Sequence, residues 1–224
     1  MRLATTSVRD EERRARLTRQ RVIEAAIGLA DREGIDAVSM RRLASELGVE
    51  AMALYTHVRN KDDLLDGMVD TLIGRIPIDV RGDGWRASLR QLVMGARGVL
   101  LDHRWAPPVI ESRTFAGLAV PRYFNAVAGI LREGGFSLER THHALHILGS
   151  RVLGFTQELF DDSDEADPQA VEAFAAEVAG TLPYVAELAL AATHSGSLGA
   201  CDDDVEFAFA LDFILDGLER LRER

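Results

Sequence analysis

The sequence predicts an all-α protein with a small N-terminal domain and a larger C-terminal domain. Apolar residues recur at helical spacing along most of the 224 residues, and no stretch of alternating apolar and polar residues predicts a strand. Residues 39–64 have the pattern of two short helices around a glycine turn, followed by the start of another helix. A glycine-containing connector after Pro77 then separates this region from a long helical remainder.

The first predicted helix covers residues 18–34. Thr18 is a suitable N-cap, because a threonine hydroxyl can accept a hydrogen bond from an N–H of the first turn. Gly34 lies where the helix would end. The apolar face between them consists of Val22, Ile23, Ala26, Ile27 and Ala30.

Two short helices follow, in the pattern of a helix-turn-helix. Ser39 is the predicted N-cap of the first, and Gly48 is the predicted left-handed residue of the turn. The second helix is predicted over residues 50–57, with Leu54 facing inward. An αα-hairpin inside a helical bundle would show the same pattern, so this pattern alone leaves both interpretations open. A further helix starts at the cap Asn60 and continues to residue 76, before Pro77.

Residues 18–73 resemble the DNA-binding domain of the tetracycline-repressor (TetR) family. The resemblance rests on the segment VSMRRLASELGVEAMALYTHVRNKDDLL, which contains RxLAxxLGV and LYxHVxNK at the family's offsets. It implies a three-helix, helix-turn-helix DNA-binding domain over residues 18–76, after a basic arm over residues 1–17. In that arm and at its end, Arg13, Arg14, Arg16 and Arg19 are expected either to follow DNA or to form a solvated segment.

The resemblance also implies roles for individual side chains on DNA. Arg41 aligns with a position that contacts a base or the backbone, and Lys61, the only lysine, aligns with a phosphate contact. Contact with bases falls to residues 50–53, where small and apolar side chains favour packing on thymine methyl groups. The full predicted set is Ser39, Arg41, Arg42, Glu50, Ala51, Met52, Ala53, Tyr55, Thr56, His57 and Lys61.

The charge of the chain is distributed unevenly. The formal net charge is -10, yet residues 1–60 contain 11 arginines against nine acidic residues, a net of +2. The remaining residues therefore have a net of -12. This asymmetry is consistent with a basic DNA-contacting end and an acidic body, and a solvated acidic surface explains the body equally well.

Residues 77–224 resemble the C-terminal domain of tetracycline-repressor-type proteins. The resemblance is carried by WRASLRQLV, GGFSLERTHHAL, VLGFTQE and the terminal FALDFILDGLER. It implies a helical ligand-binding core and a homodimer formed by two long helices, at about residues 138–160 and 205–221. From periodicity alone, the second of these would suit an internal core helix equally well. The predicted dimer stripe is Phe207, Leu211, Ile214 and Leu218.

The predicted ligand site differs from that of tetracycline-responsive members. Those members use a magnesium-chelating histidine and polar contacts, whereas the aligned positions here are Pro77, Leu92, Ile110 and Val127. The sequence therefore favours a small hydrophobic or aromatic effector over magnesium-tetracycline. The predicted ligand-binding residues are Leu92, Ala96, Trp105, Ile110, Phe124, Val127, His142, His146, Phe155 and Glu158.

No metal or cofactor is predicted. His142 and His146 have a spacing that can bind a metal, but no third ligand accompanies them, so a hydrogen bond to the ligand or to a second subunit is the favoured role. The acidic run at residues 161–167 lacks the glycine of a calcium loop and is predicted to be a connector.

These observations favour a homodimeric transcriptional repressor that a small apolar effector releases from a palindromic operator. A ligand-responsive activator or dual regulator is the alternative, and an all-α enzyme or a protein-interaction module is more remote. No nucleophile, base and orienting group occur at a catalytic spacing, so the protein is not predicted to be an enzyme. A charged N-terminus, the absence of a long apolar run and the lone Cys201 predict a cytoplasmic location.

Overall fold

The computed structural model of the protein describes residues 17–113, 117–153, 168–191 and 203–222. Within these ranges all regular secondary structure is helical, as predicted, and consists of α-helices and one 3₁₀ segment at Ile35–Ala37. The α-helices are α1 (Arg19–Glu33), α2 (Met40–Leu47), α3 (Ala51–Leu54), α4 (Lys61–Ile73), α5 (Gly84–Asp102), α6 (Ala106–Glu111), α7 (Ala119–Glu133), α8 (Leu138–Leu153), α9 (Pro168–Val178), α10 (Pro183–Ala191) and α11 (Asp203–Arg222).

The chain forms two compact units, which lie within residues 1–153 together with 221–224, and within residues 154–220. The first unit contains α1–α8, so it extends across the domain boundary predicted at residue 77. The reason is that side chains beyond residue 77, such as Trp105 and Arg113, bind α1 and α4 directly. The second unit contains α9, α10 and most of α11.

The predicted ends of the helix-turn-helix are confirmed. Thr18, Ser39 and Asn60 each accept the backbone N–H three residues later, at 3.2, 3.3 and 2.8 Å respectively. Gly48 has φ 63° and ψ 40°, the left-handed conformation that a glycine adopts without a steric penalty. The sequence therefore determines where α1, α2 and α4 begin and where the tight turn lies.

Two helices are shorter than predicted. The second helix of the motif was expected over residues 50–57, but α3 covers only Ala51–Leu54. The Thr56 hydroxyl instead donates to the carbonyl of Ala53 at 2.7 Å, and residues 55–57 form a turn. Similarly, α4 ends at Ile73, three residues earlier than predicted. Beyond Ile73, backbone hydrogen bonds from residue i to residue i−3 tighten the chain before Pro77.

The core of the first unit comes from the faces that the periodicity indicated. Leu43 and Leu54 of the motif are fully buried, and so are Leu64, Met68 and Leu72 of α4. Across α5 and the turn before α8, Trp85 and Phe136 stack edge to face with ring centroids 4.8 Å apart. Burying these side chains supplies the main favourable term for folding. Among the described helices, none has the length and apolar character that crossing a membrane requires.

Candidate nucleic-acid interface and ligand cavity

A buried carboxylate organises the helix-turn-helix region. The Arg19 guanidinium donates to both oxygens of Asp63 at 3.0 Å, and also to the carbonyl of His57 at 2.9 Å. The backbone N–H of Arg59 donates to the same carboxylate at 2.8 Å. Asp63 therefore joins the start of α1, the turn after α3 and the first turn of α4.

The pairing of Arg19 with Asp63 was not predicted from the sequence. Arg19 was expected to follow DNA or remain solvated with the arm residues, and Asp63 was expected only to be a charge near a helix N-terminus. Arg19 instead uses its guanidinium inside the fold. The sequence did contain both residues of the pair: Asp63 lies in the first turn of a helix, and Arg19 lies at the start of an earlier helix. Nothing in the sequence, however, indicates that these two residues form an ion pair.

This network predicts an acid-sensitive contribution to stability. The Arg19 guanidinium, followed by hydrogen bonds from Arg59, holds the pKa of Asp63 well below its usual range. The charged carboxylate therefore stabilises the fold above the unfolded-state pKa of about 4, and this contribution declines as the pH falls towards the folded-state pKa. In urea unfolding, the advantage of the wild type over Asp63→Asn should shrink between pH 7 and pH 3. An advantage of the same size at both pH values would contradict this assignment.

The predicted DNA-contacting residues form an exposed surface on α2, α3 and the start of α4. Arg41, Tyr55 and Lys61 are exposed, and Met52 has 74% of its surface accessible. Within the described residues, neither Arg41 nor Lys61 forms an ion pair, so both charges face solvent. Glu50 and Thr56 are also exposed, whereas Ala51, Ala53 and His57 are half-buried.

Two members of that predicted set already have partners in the protein. The Ser39 hydroxyl is the N-cap of α2. Arg42 forms an ion pair with Glu33 at 2.6 Å, which raises the pKa of the guanidinium and leaves Arg42 less free than Arg41 to bind phosphate. The structure therefore singles out Arg41 and Lys61 as the free cations of this surface within the described residues.

A small cavity of about 60 Å³ lies among the helices of the first unit. The last turn of α4 contributes Ile73 and, just beyond it, Ile76 to one wall, while α5–α8 supply the others. Among the residues that the structure describes, Tyr123 is the one lining residue with a polar side chain. The described lining is Ile73, Ile76, Ala96, Leu100, Ile110, Val120, Tyr123, Phe124, Val127, Leu145, Leu148 and Gly149.

Part of the predicted ligand site coincides with this cavity. Ala96 of α5, Ile110 of α6, and Phe124 and Val127 of α7 line it. Leu92 does not line the cavity. It is fully buried and packs in the core of the first unit. Phe155 and Glu158 lie outside the described residues.

The prediction that Trp105 forms a ligand wall is wrong for this cavity. Its indole N–H donates to Asp31 of α1 at 2.6 Å, and His103 Nδ1 donates to the same oxygen at 2.7 Å. These two hydrogen bonds connect the turn after α5 to α1. The side chain is buried for that structural reason, which periodicity cannot distinguish from a ligand contact.

The two histidines lie away from the cavity as well. His142 and His146 are exposed on α8, with ring centroids 4.6 Å apart, whereas Leu145 and Leu148 of the same helix line the cavity. The helix therefore directs the histidine pair away from a ligand bound in this cavity. Only their predicted roles outside it remain proposals.

Further polar contacts tie α4 to the cavity-forming helices. Arg113, after α6, binds the carboxylates of Asp62 at 3.2 Å and of Asp66, and these contacts raise the pKa of its guanidinium. Asp70 accepts the backbone N–H of Ala119 at 2.8 Å, at the start of α7. Helix α4 is therefore held by charge-assisted bonds along its length rather than only at its apolar face.

The predicted dimer stripe on α11 requires a correction. Phe207, Leu211 and Leu218 are buried within the single chain, with 3%, 0% and 2% of their surface accessible, and Ile214 is half-buried. A side chain that its own chain already covers leaves no surface for a second copy. The exposed large apolar residues of this helix are Val205, Phe209, Phe213 and Leu221. The first three lie four residues apart, with 60%, 71% and 73% of their surface accessible.

Comparison with known proteins matches both halves of the chain. A family model described as "Bacterial regulatory proteins, tetR family" matches residues 22–68. A second, "Tetracyclin repressor-like, C-terminal domain", matches residues 77–222. The chain is 31% identical over 214 residues to the HTH-type transcriptional repressor DrrR1 of Streptomyces coeruleorubidus, covering 92% of this chain and 78% of that protein.

Solved structures agree with this relationship. The chain is similar to ActR from Streptomyces coelicolor in complex with (S)-DNPA, with a TM-score of 0.73, 28% identity and coverage of 91% and 98% of the two chains. It is also similar to ActR in complex with actinorhodin, with a TM-score of 0.70, 28% identity and coverage of 91% and 96%. The chain belongs to the TetR family of helix-turn-helix transcriptional regulators.

Proposed function

We propose that this TetR-family repressor is a homodimer that binds a palindromic operator and that a small apolar effector releases it. The observation that carries the proposal is the position of α4. One end of this helix presents Lys61 on the proposed DNA surface, and its other end contributes Ile73 to the cavity wall. A ligand in the cavity and DNA at the motif therefore contact the same rigid element.

The proposed effector is apolar because of the cavity lining. Of the twelve described residues that line the cavity, eleven carry no polar side chain and none carries a charge. Mg²⁺ prefers oxygen ligands, so this lining does not fit magnesium-tetracycline. The two ActR complexes, with actinorhodin and with (S)-DNPA, support a ligand site in a related protein.

Release would follow from the small size of the cavity. Its volume is about 60 Å³, whereas a dry cavity that accepts benzene measures about 150 Å³. A ligand with an aromatic ring must therefore displace the walls, including the last turn of α4. Because α4 has 13 residues and spans about 20 Å, a tilt at Ile73 would move Lys61 and the adjacent turn. The effector would thus favour a conformation with a lower affinity for the operator.

A homodimer is proposed because a palindrome requires two recognition helices one DNA turn apart, or a multiple of that spacing. The stripe Val205, Phe209 and Phe213 offers an apolar surface on α11 that a second copy can cover. Two exposed phenylalanines on one helical face are unusual on a monomer surface, because each exposes a large apolar area.

Substitutions on the DNA surface test the proposal. Lys61→Ala is expected to weaken binding to all DNA and to reduce the slope of log K against log salt by about one unit. Arg41→Ala is expected to weaken operator binding by about 1–3 kcal/mol more than binding to random DNA, if its guanidinium contacts a base. Fluorescence anisotropy with a fragment from upstream of the protein's own gene and a scrambled fragment provides both affinities.

Arg81→Ala is the matched control, because it removes one exposed charge from the connector outside the motif. It should leave the preference for operator over scrambled DNA unchanged. Equal losses on both fragments for Arg41→Ala would limit this residue to a backbone contact. No salt dependence and no preference in the wild type would contradict operator binding itself.

The ligand cavity is tested by reducing its volume. Ala96 is buried and lines the cavity, so Ala96→Val adds two methyl groups where the effector would lie. We expect this variant to bind apolar effectors at least about tenfold more weakly and to remain on the operator when effector is added. The control is Ala87→Val, since Ala87 is exposed on the same helix. Effector affinity unchanged in calorimetry for Ala96→Val would show that the ligand binds elsewhere.

A further inference from the structure

Tyr123 differs in chemistry from the other described residues that line the cavity of the first unit. It is the one residue of the described lining whose side chain can form a hydrogen bond. Its phenol has no hydrogen-bond partner among the described residues, and its ring contacts that of Phe124, with centroids 6.1 Å apart. Tyr123 is half-buried. A phenol that loses part of its hydration without gaining a partner is costly, and such groups call for a physical explanation.

The protonation state of this phenol defines its chemistry. Burial alone raises the pKa of Tyr123 to about 12, because the apolar surroundings disfavour a phenolate. The side chain is therefore neutral across the physiological pH range and retains its O–H. It can donate one hydrogen bond into a site that otherwise offers only dispersion contacts and burial.

We infer that Tyr123 selects the effector by donating a hydrogen bond to a carbonyl-type oxygen on a neutral, ring-containing molecule. The inference rests on the proposed function, in that the cavity must be the effector site. The apolar walls would bind the ring system, and the phenol would distinguish an acceptor-bearing ring from a plain hydrocarbon. A hydrogen bond in this apolar site meets less competition from water than one at the surface, so it contributes more.

The same lining excludes charged effectors. Among the described residues, no arginine, lysine, histidine or carboxylate lines the cavity, so an anionic or cationic ligand would lose its hydration there without gaining a counter-charge from them. A single neutral donor cannot replace that hydration. The effector class is therefore a neutral ketone, quinone or similar carbonyl compound attached to an apolar ring.

Three probes with one ring skeleton test the inference: tetralin, alpha-tetralone and a tetralin carboxylate. Affinities are measured by ligand-observed NMR, which detects the weak binding expected when a ring must open a small cavity. For the wild type, the ketone is expected to bind about three- to tenfold more tightly than the hydrocarbon. The carboxylate is expected to bind more weakly than both.

Tyr123→Phe removes only the hydroxyl and keeps the ring. In this variant the preference for the ketone should disappear, while the affinity for tetralin should stay within twofold of the wild-type value. Its melting temperature should equal or exceed that of the wild type, because the lost hydroxyl has no partner in the fold. These readings separate recognition from a structural role, since a structural hydroxyl would lower the melting temperature and affect both probes alike.

The outcomes distinguish the inference from the proposed function. If wild type binds ketone and hydrocarbon equally, or if Tyr123→Phe retains the preference, Tyr123 does not select the ligand. Tetralin binding that Ala96→Val weakens would then still support the cavity as the effector site. If neither tetralin nor the ketone binds the wild type, the cavity is not an apolar ligand site, and both the inference and the proposed effector class are wrong.

Discussion

The double variant Phe209→Asp/Phe213→Asp is expected to be a folded monomer whose affinity for the operator is reduced by about a hundredfold or more. Both side chains are exposed on α11, so their replacement removes no contact from the core of the chain. Two aspartates facing their counterparts across a twofold axis would repel, and each would lose hydration in an apolar interface. Loss of the dimer removes the second recognition helix and with it the avidity for a palindrome.

Sedimentation at micromolar concentration measures the dimer, and circular dichroism checks the fold. Phe174→Asp is the matched control, because Phe174 is a partly exposed phenylalanine on a different helix, α9, and should leave the dimer intact. Leu211→Asp is not a suitable test, since Leu211 is completely buried and its replacement would unfold the chain. A dimer of unchanged stability in the double variant would show that this face is not the interface.

The second large effect is expected on stability, from substitution of Asp63. Asp63→Ala should lower the free energy of unfolding by about 3 kcal/mol, because it leaves the Arg19 guanidinium and the Arg59 N–H without their acceptor. Operator binding should decline as well, since the same carboxylate fixes the turn after α3 through Arg19 and the His57 carbonyl. Urea unfolding and anisotropy measure the two losses.

Two further variants sharpen this test. Arg19→Lys keeps the charge but cannot reproduce the bidentate geometry, so an intermediate loss of stability is expected. Asp79→Ala removes an exposed carboxylate from the connector and should change stability little. A loss for Asp63→Ala no larger than that for Asp79→Ala would contradict the role of this network.

The DNA-binding half could be predicted in detail because its signals are local. Caps at Thr18, Ser39 and Asn60 and the left-handed Gly48 depend only on neighbouring residues, and each was predicted from the sequence. The short α3 was not predicted, because helical spacing continues through residues that form a turn instead.

The contacts between distant segments could not be predicted in the same way. The bond from Trp105 to Asp31 joins residues 74 positions apart, and nothing in a periodic pattern pairs them. Likewise α11 has two apolar faces, and periodicity does not state which one its own chain buries. Of the predicted ligand-binding residues, Ala96, Ile110, Phe124 and Val127 line the cavity. Tyr123 was not among the predicted residues, because its significance depends on what surrounds its hydroxyl.

The most direct test of the central claim is a hydroxyl-radical footprint on the DNA upstream of the protein's own gene. The proposal predicts two symmetric protected half-sites whose centres are about 10 base pairs apart, or a multiple of that, on one face of the duplex. Addition of a neutral, carbonyl-bearing apolar effector should remove both together. A single asymmetric protected site, or protection without any sequence preference, would contradict a homodimeric operator-binding repressor.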